Sequence, residues 1–232
     1  MRQAVVGHER IIVTSETSKH RYFVWCPVAI APEHKLVVIP RSDDQTFGVL
    51  SSRIHVVWAL AVGSSLEDRP VYTTSRCVEP FPFPYGLTLN LPTSNKPIAE
   101  AIPIAIAAKR LNALRENWLN PPEWTQRVAE VVPLGMTVSP YPNRIVAKFG
   151  HEKDLAERTL TKLYNARPAW LDTAHKALDV AVAAAYGWAD YSVAMPDEEI
   201  LKRLLALNLQ RAQAPVVKPV AARVVKPLAD IE

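Results

Sequence analysis

The stretch TFGVLSSRIHVVWALAVG, Thr46 to Gly63, is where the chain changes period. Its apolar residues fall at Phe47, Leu50, Ile54, Val57, Trp58 and Ala61, the spacing of one helix face, and Gly63 is a plausible stop. The sequence before it is strand-like. Arg10-Ile11-Ile12-Val13-Thr14 and Arg21-Tyr22-Phe23-Val24-Trp25 are rich in β-branched and aromatic residues. Leu36-Val37-Val38-Ile39 is a short apolar run bounded by charge and Pro40, which reads as a buried strand. Strands giving way to a helix predict an α+β fold class.

Downstream, Ser64 to Pro70 reads as a loop and Val71-Tyr72-Thr73-Thr74 as a short strand. Pro80-Phe81-Pro82-Phe83-Pro84-Tyr85-Gly86 cannot be helical, because each proline disfavours the α region before it. It is expected to be a stiff strap whose aromatic residues anchor in the core. Lys96 to Leu119 is helical, with Pro103 as a kink or the true start. Residues 125–150 hold Pro133, Pro140 and Pro142 and show no period. Helices are expected over Glu152–Asn165, Pro168–Tyr186 and Pro196–Ala212, with Asp197, Glu198 and Glu199 suiting a helix N-terminus. The predicted organisation is a small mixed strand/helix unit at 1–92, a long helix and linker at 93–124 and an irregular connector at 125–150. A mainly helical unit follows at 151–213, then an extended, disordered tail at 214–232.

The 232 residues carry a net charge of +4, which permits an anionic partner without arguing for one. No apolar run reaches the roughly eighteen residues of a membrane span. Two cysteines, Cys26 and Cys77, without CxxC spacing, point to a reduced, cytoplasmic chain. Twenty prolines against seven glycines mean that turns are set largely by fixed φ angles.

Catalytic chemistry is hard to place. Asn120-Pro121-Pro122-Glu123 resembles the base-holding tetrapeptide of some DNA methyltransferases, but Glu123 cannot stack on a base, and the stretch reads better as a helix stop. All seven glycines are isolated, so no glycine-rich cofactor turn follows a strand. Glu33-His34-Lys35 has the second half of a magnesium-nuclease motif, but the Pro-Asp pair, Pro196-Asp197, lies far downstream. The histidines never pair with Cys or acid at ligand spacing. Asp172, His175 and Asp179 share helical spacing and read as an exposed helix face.

Several stretches together resemble one family. They are HRYFVW from His20, LVVI from Leu36, TFGVLSSRIHVVWALAVGSSL from Thr46, VYTTSRCVEPFPFPYGLTLNLP from Val71, RLNALRENWLNPPEW from Arg110, and RTLTKLYNARPAWLDTAHKALDVAVAAAYGW from Arg158. These resemble, in order over residues 18–212, the C-terminal part of the MmeI-like type IIL restriction–modification enzymes, which are adenine-N6 DNA methyltransferases with a fused nuclease. The resemblance implies a target-recognition domain followed by a C-terminal helical domain. It implies double-stranded DNA as partner and possession of S-adenosyl-L-methionine and Mg sites in family domains upstream of this region. No cofactor is therefore expected in this chain, which by itself is not expected to be the enzyme. It reads as a fragment or a split subunit, working with a methyltransferase or nuclease subunit encoded upstream.

A recognition domain needs base-edge and phosphate contacts. Arg can fork onto guanine, and Asp or Glu can accept from cytosine. The best candidates are Glu67, Asp68, Arg69, Tyr72, Thr73, Thr74 and Arg76, which place acid, base, hydroxyl and aromatic groups within ten residues. The resemblance adds that Glu67-x-Arg69 lies where the family varies its specificity residues. Arg41, Ser52 and Arg53, with Lys19, Arg21 and Ser51, are candidates for phosphates. Two other readings stand beside this one: a complete methyltransferase with an unrecognised active site, and a helical scaffold binding a partner methyltransferase subunit.

Overall fold

The computed structural model describes residues 5–87 and 99–213. The expected helix start at Lys96, the boundary at 92 and the tail at 214–232 lie outside them. The architecture is α+β. β1 (Arg10–Ser15) is the middle strand of an antiparallel sheet, between β2 (Val24–Pro27) and β3 (Leu36–Ile39). Ile12 pairs with Trp25 on one side and Ile39 on the other. Ile11 through Thr14 are all buried, so β1 is covered on both faces, and its sequence is a continuous apolar run instead of an alternation.

The stretch Thr46–Gly63 is two helices, where one was expected. α1 (Asp44–Ser51) is capped by Asp43, whose carboxylate accepts from Thr46 N at 2.8 Å. It ends at Ser52, whose backbone is extended at ψ 156°. Ser52 Oγ donates to Val49 O at 2.7 Å and caps α2 (Arg53–Val62) by accepting from His55 N. Gly48 faces outward from α1 into the helices behind it. A Cβ there would meet Ile104 Cγ2 at 2.5 Å, with Ala108 and Leu178 just beyond, so glycine sets how closely α1 approaches α3 (Ile102–Leu119) and α6 (Ala169–Ala185).

Gly63 ends α2 as expected. Its N–H donates to Ala59 O, and a Cβ would lie 2.8 Å from Val71 O, so the absence of a side chain lets the next hairpin close in. That hairpin is β4 (Ser64–Leu66) with β5 (Arg69–Val71). A π-helical turn (Thr74–Val78) follows. The proline strap then crosses α2. Phe81 and Phe83 are buried edge-to-face at 4.9 Å, Phe81 also meets His55, and Tyr186 OH donates to Pro82 O. Tyr85 departs from the expected anchoring and is 91% exposed.

α3 ends at Leu119, where Asn120 N donates to Glu116 O before the two prolines, so LNPPEW is a helix stop. The connector contains a hairpin that the sequence did not suggest, β6 (Thr125–Val128) with β7 (Arg144–Ala147). The expected helix 152–165 is broken into α4 (Glu152–Ala156) and α5 (Leu160–Ala166), the second capped by Thr159. α7 (Asp197–Gln213) follows Pro196. One continuous core joins Ile12 and Phe23 of the sheet region to Leu111, Leu178 and Leu204 of the later helices. Arg115 is buried inside it at 1% exposure. It donates to Phe23 O at 2.8 Å and Tyr164 OH at 3.2 Å, so neutral oxygens satisfy it.

Candidate functional site

The hairpin β4–β5 turns through two residues, Glu67 and Asp68, and Glu67 is held at φ 58°. Few side chains other than Gly and Asn sit in this left-handed region without strain. Glu67, Asp68 and Arg69 are all exposed, and Arg69 Nη2 pairs with Glu67 Oε2 at 2.9 Å. An exposed pair of this kind contributes at most about 1 kcal/mol, so it leaves both side chains free to exchange partners. Thr74 and Arg76 are exposed on the π-helical turn that follows. The tip is mounted on a rigid base. Val71 bridges Thr17, Tyr72 N donates to Glu16 O at 2.8 Å, and Arg21 Nη2 donates to Pro70 O at 3.3 Å.

Two expected contact residues belong to that base and not to the surface. Tyr72 is 1% exposed. Its hydroxyl shares a 2.8 Å hydrogen bond with His55 Nε2, its ring packs edge-on to Phe23, and Arg21 lies over its face. Burial pushes the Tyr72 phenol well up and, with the nearby Arg21 charge, pulls His55 down to about 3, so both are neutral. Ser52 is fully buried as the α1–α2 cap, and Ser51 and His55 are also inside. The segment is covered on more than one side, so the polar residues at the break are buried along with Leu50 and Ile54. Thr73 is half-buried.

The expected phosphate ligands are also largely committed. Arg41 is 11% exposed at its side chain and holds Asp43, the α1 cap, at 2.9 Å. Arg53 donates to Val193 O, Met195 O and Asp197 Oδ1, tying the start of α7 to α2. Arg21 donates to Thr14 Oγ1, Ser15 O and Pro70 O. Lys19 is exposed and reaches Asn165.

Asp172, His175 and Asp179 are not an exposed face. His175 and Asp179 are buried at 8% and 6%, and with half-buried Asp172 they line a cleft of about 250 Å³ beside Arg21 and Ser51. Burial raises the Asp179 carboxyl to about 6, against the Arg53 N–H that it accepts from at 2.7 Å. Burial and the charges of Arg115 and Arg167 lower His175 to about 3, and its Nε2 meets Tyr164 OH at 3.0 Å. Helical spacing alone could not tell that this stripe meets α5 through His175 and the start of α2 through Asp179.

The strand β1, the paired helices, the exposed two-residue tip and the buried Tyr72 base all fall within one stretch that has a known counterpart. Residues 1–85 match the family model described as MmeI, target recognition domain. The resemblance to MmeI read from the sequence therefore holds for this stretch. Across 89% of the chain, the fold resembles a solved structure of the Type IIL restriction-modification enzyme MmeI in complex with DNA, with a TM-score of 0.56 and 18% identity. The chain spans 22% of the length of that MmeI chain. No curated protein matches it. Among the described residues, no helix is long and apolar enough to cross a membrane, and no group of three His, Cys, Asp or Glu is placed to hold a metal ion.

Proposed function

We propose that this chain is the DNA sequence-recognition module of a restriction–modification system, and that it directs adenine-N6 methylation by catalytic machinery carried elsewhere. The observation that carries the reading is the exposed Glu67-Asp68-Arg69 tip on a buried base, inside the stretch that matches the MmeI target recognition domain. A two-residue turn is narrow enough for a major groove, and its acid and base can read cytosine and guanine edges while Thr74 and Arg76 supply hydroxyl and cationic contacts. The Tyr72–His55 bond and the Arg21–Pro70 bond fix the direction of the tip, which a base-reading group requires.

The test is selection of bound duplexes from a randomised double-stranded pool by the purified chain. A short enriched site that loses definition at one position in Arg69→Ala supports the reading. Recovery of unselected sequence by the wild type rejects it.

For the catalytic partner, a methyltransferase or nuclease subunit, the favouring observation is the β6–β7 connection. It exposes Val131, Leu134, Val138 and Tyr141, with fully exposed Phe149 just beyond the hairpin. Apolar surface of that kind marks a protein contact. Co-purification of a co-expressed methyltransferase subunit with the wild type, lost in Val131→Asp/Val138→Asp, supports this. Retention by the double variant rejects it.

A further inference from the structure

We propose that the cleft between the β1–β2 connection, the α1–α2 break and α6 binds a phosphate group. Four cationic side chains line it, Arg21, Arg53, Arg167 and Lys176, against two carboxylates. Asp172 is already spanned by Arg167 at 3.0 Å and Lys176 at 2.6 Å, and Asp179 is held by the first N–H of α2. With Asp197, which Arg53 holds from outside the cleft, counted among the acids, the cations still outnumber them by one. Arg167 and Lys176 remain about half exposed and can turn their remaining donors to an anion.

An independent observation points to a ligand. Ser51 lines the same cleft, is 5% exposed, and its Oγ has no hydrogen-bond partner among the described residues. A buried hydroxyl without a partner is costly to keep, and an oxyanion in the cleft would satisfy it. About 250 Å³ accommodates a tetrahedral phosphate with some water.

The cleft also adjoins the reading tip. Arg21, which lines it, donates to Pro70 O, one residue from Arg69. The phosphate can come from a duplex backbone, in which case the inference rests on the recognition reading, or from a free anion.

The experiment uses the full chain as wild type, Arg167→Asn/Lys176→Gln, Ser51→Ala and Arg69→Ala. Sodium phosphate is compared with sodium chloride at matched ionic strength by thermal unfolding. At several times its Kd, phosphate is expected to raise the wild-type Tm by about 2–4 °C. It should raise the Tm of the double variant not at all and that of Ser51→Ala by less, although Ser51→Ala removes an unsatisfied buried group. In the second arm, duplex binding is followed by anisotropy across salt. The double variant is expected to weaken every sequence about 10-fold and lower the salt slope by about one, while Arg69→Ala leaves the slope alone.

Stabilisation by phosphate with an unchanged duplex slope assigns the site to a free anion. A lowered slope without stabilisation assigns it to the backbone. Equal phosphate effects, or none, in wild type and double variant, together with an unchanged slope, overturn the proposal. A wild type that binds no duplex at all rejects the recognition reading, while the phosphate arm still decides the cleft.

Discussion

The carboxylate of Asp179 on α6 accepts a hydrogen bond from the backbone N–H of Arg53 at 2.7 Å, across a separation of 126 residues. This contact sits where α2 begins, so the late helix supplies a partner to the orphan N–H groups of the early one. Its pH behaviour can be derived with sign. His55 and His175 have folded values of about 3 against 6.5 in the unfolded chain, so the unfolded chain takes up protons first, and their stabilisation is lost as pH falls from about 6.5 toward 3. Asp179 has a folded value of about 6 against 3.8, so the folded chain takes up the proton first, and its contribution improves as pH falls from 6 to 3.8. Each proton is worth about 1.4 kcal/mol per pH unit. Asp179→Asn, which retains an acceptor oxygen, is expected to lose stability between pH 6 and 4 more steeply than wild type by about one proton's worth. Urea midpoints across that range measure it. Parallel slopes would show that Asp179 does not carry the raised value.

Gly48→Ala tests the helix crossing. Exposed helical glycine is improved by alanine by about 1 kcal/mol, but here the added methyl meets Ile104 at 2.5 Å. Overpacking is expected to win, with a net loss of about 1–3 kcal/mol in denaturant unfolding. A stabilised variant would mean that α1 and α3 can separate freely.

At the hairpin tip, stability and duplex binding can be measured apart. Glu67→Gly relieves the φ 58° conformation and is expected to stabilise the chain by up to about 1 kcal/mol while weakening discrimination at one base pair. Arg69→Ala is expected to leave the unfolding free energy within about 0.5 kcal/mol, because its ion pair with Glu67 is exposed, and to cost about 1–3 kcal/mol on the cognate duplex. Chemical unfolding and duplex titration on the same samples give both numbers. A uniform loss over all duplexes for Arg69→Ala would remove it from base reading.

Tyr72→Phe and Arg53→Ala act through the fold. The first leaves His55 Nε2 without its partner in the core and is expected to cost about 1–3 kcal/mol. The second strips hydrogen bonds from Val193 O, Met195 O and Asp197, with a similar expected loss. Duplex titration below the unfolding temperature is expected to find the specificity profile of Tyr72→Phe intact. An altered base preference there would return Tyr72 to the interface.

The early strands and the helix stop at Asn120 were legible because local residues decide them. Leu36–Ile39 needs only its apolar run, and Pro121-Pro122 leave a helix no N–H with which to continue. The break at Ser52 was not legible, because the apolar spacing runs straight through it. What stabilises the break is the Ser52–Val49 bond together with Asp179, which comes from far along the chain. The β6–β7 hairpin was hidden for a related reason: four-residue strands separated by a proline-rich loop carry too few alternations to register. At the candidate site, exposure separated residues that composition had grouped. Glu67, Asp68 and Arg69 stayed outside while Tyr72, three positions on, turned inward, because the chain leaves β5 after Val71 and Tyr72, tied by its N–H to Glu16 O, packs its ring against Phe23 and bonds His55 in the core.

Gly63 packs its bare α-carbon against Val71 O, and this anchors the hairpin at its root while the tip stays exposed. Substitution at the tip thus costs the fold little. Residues 67 to 69 can be exchanged while the hydrophobic interior stays under its own constraint, so the surface that this hairpin presents can change without passing through unfolded intermediates.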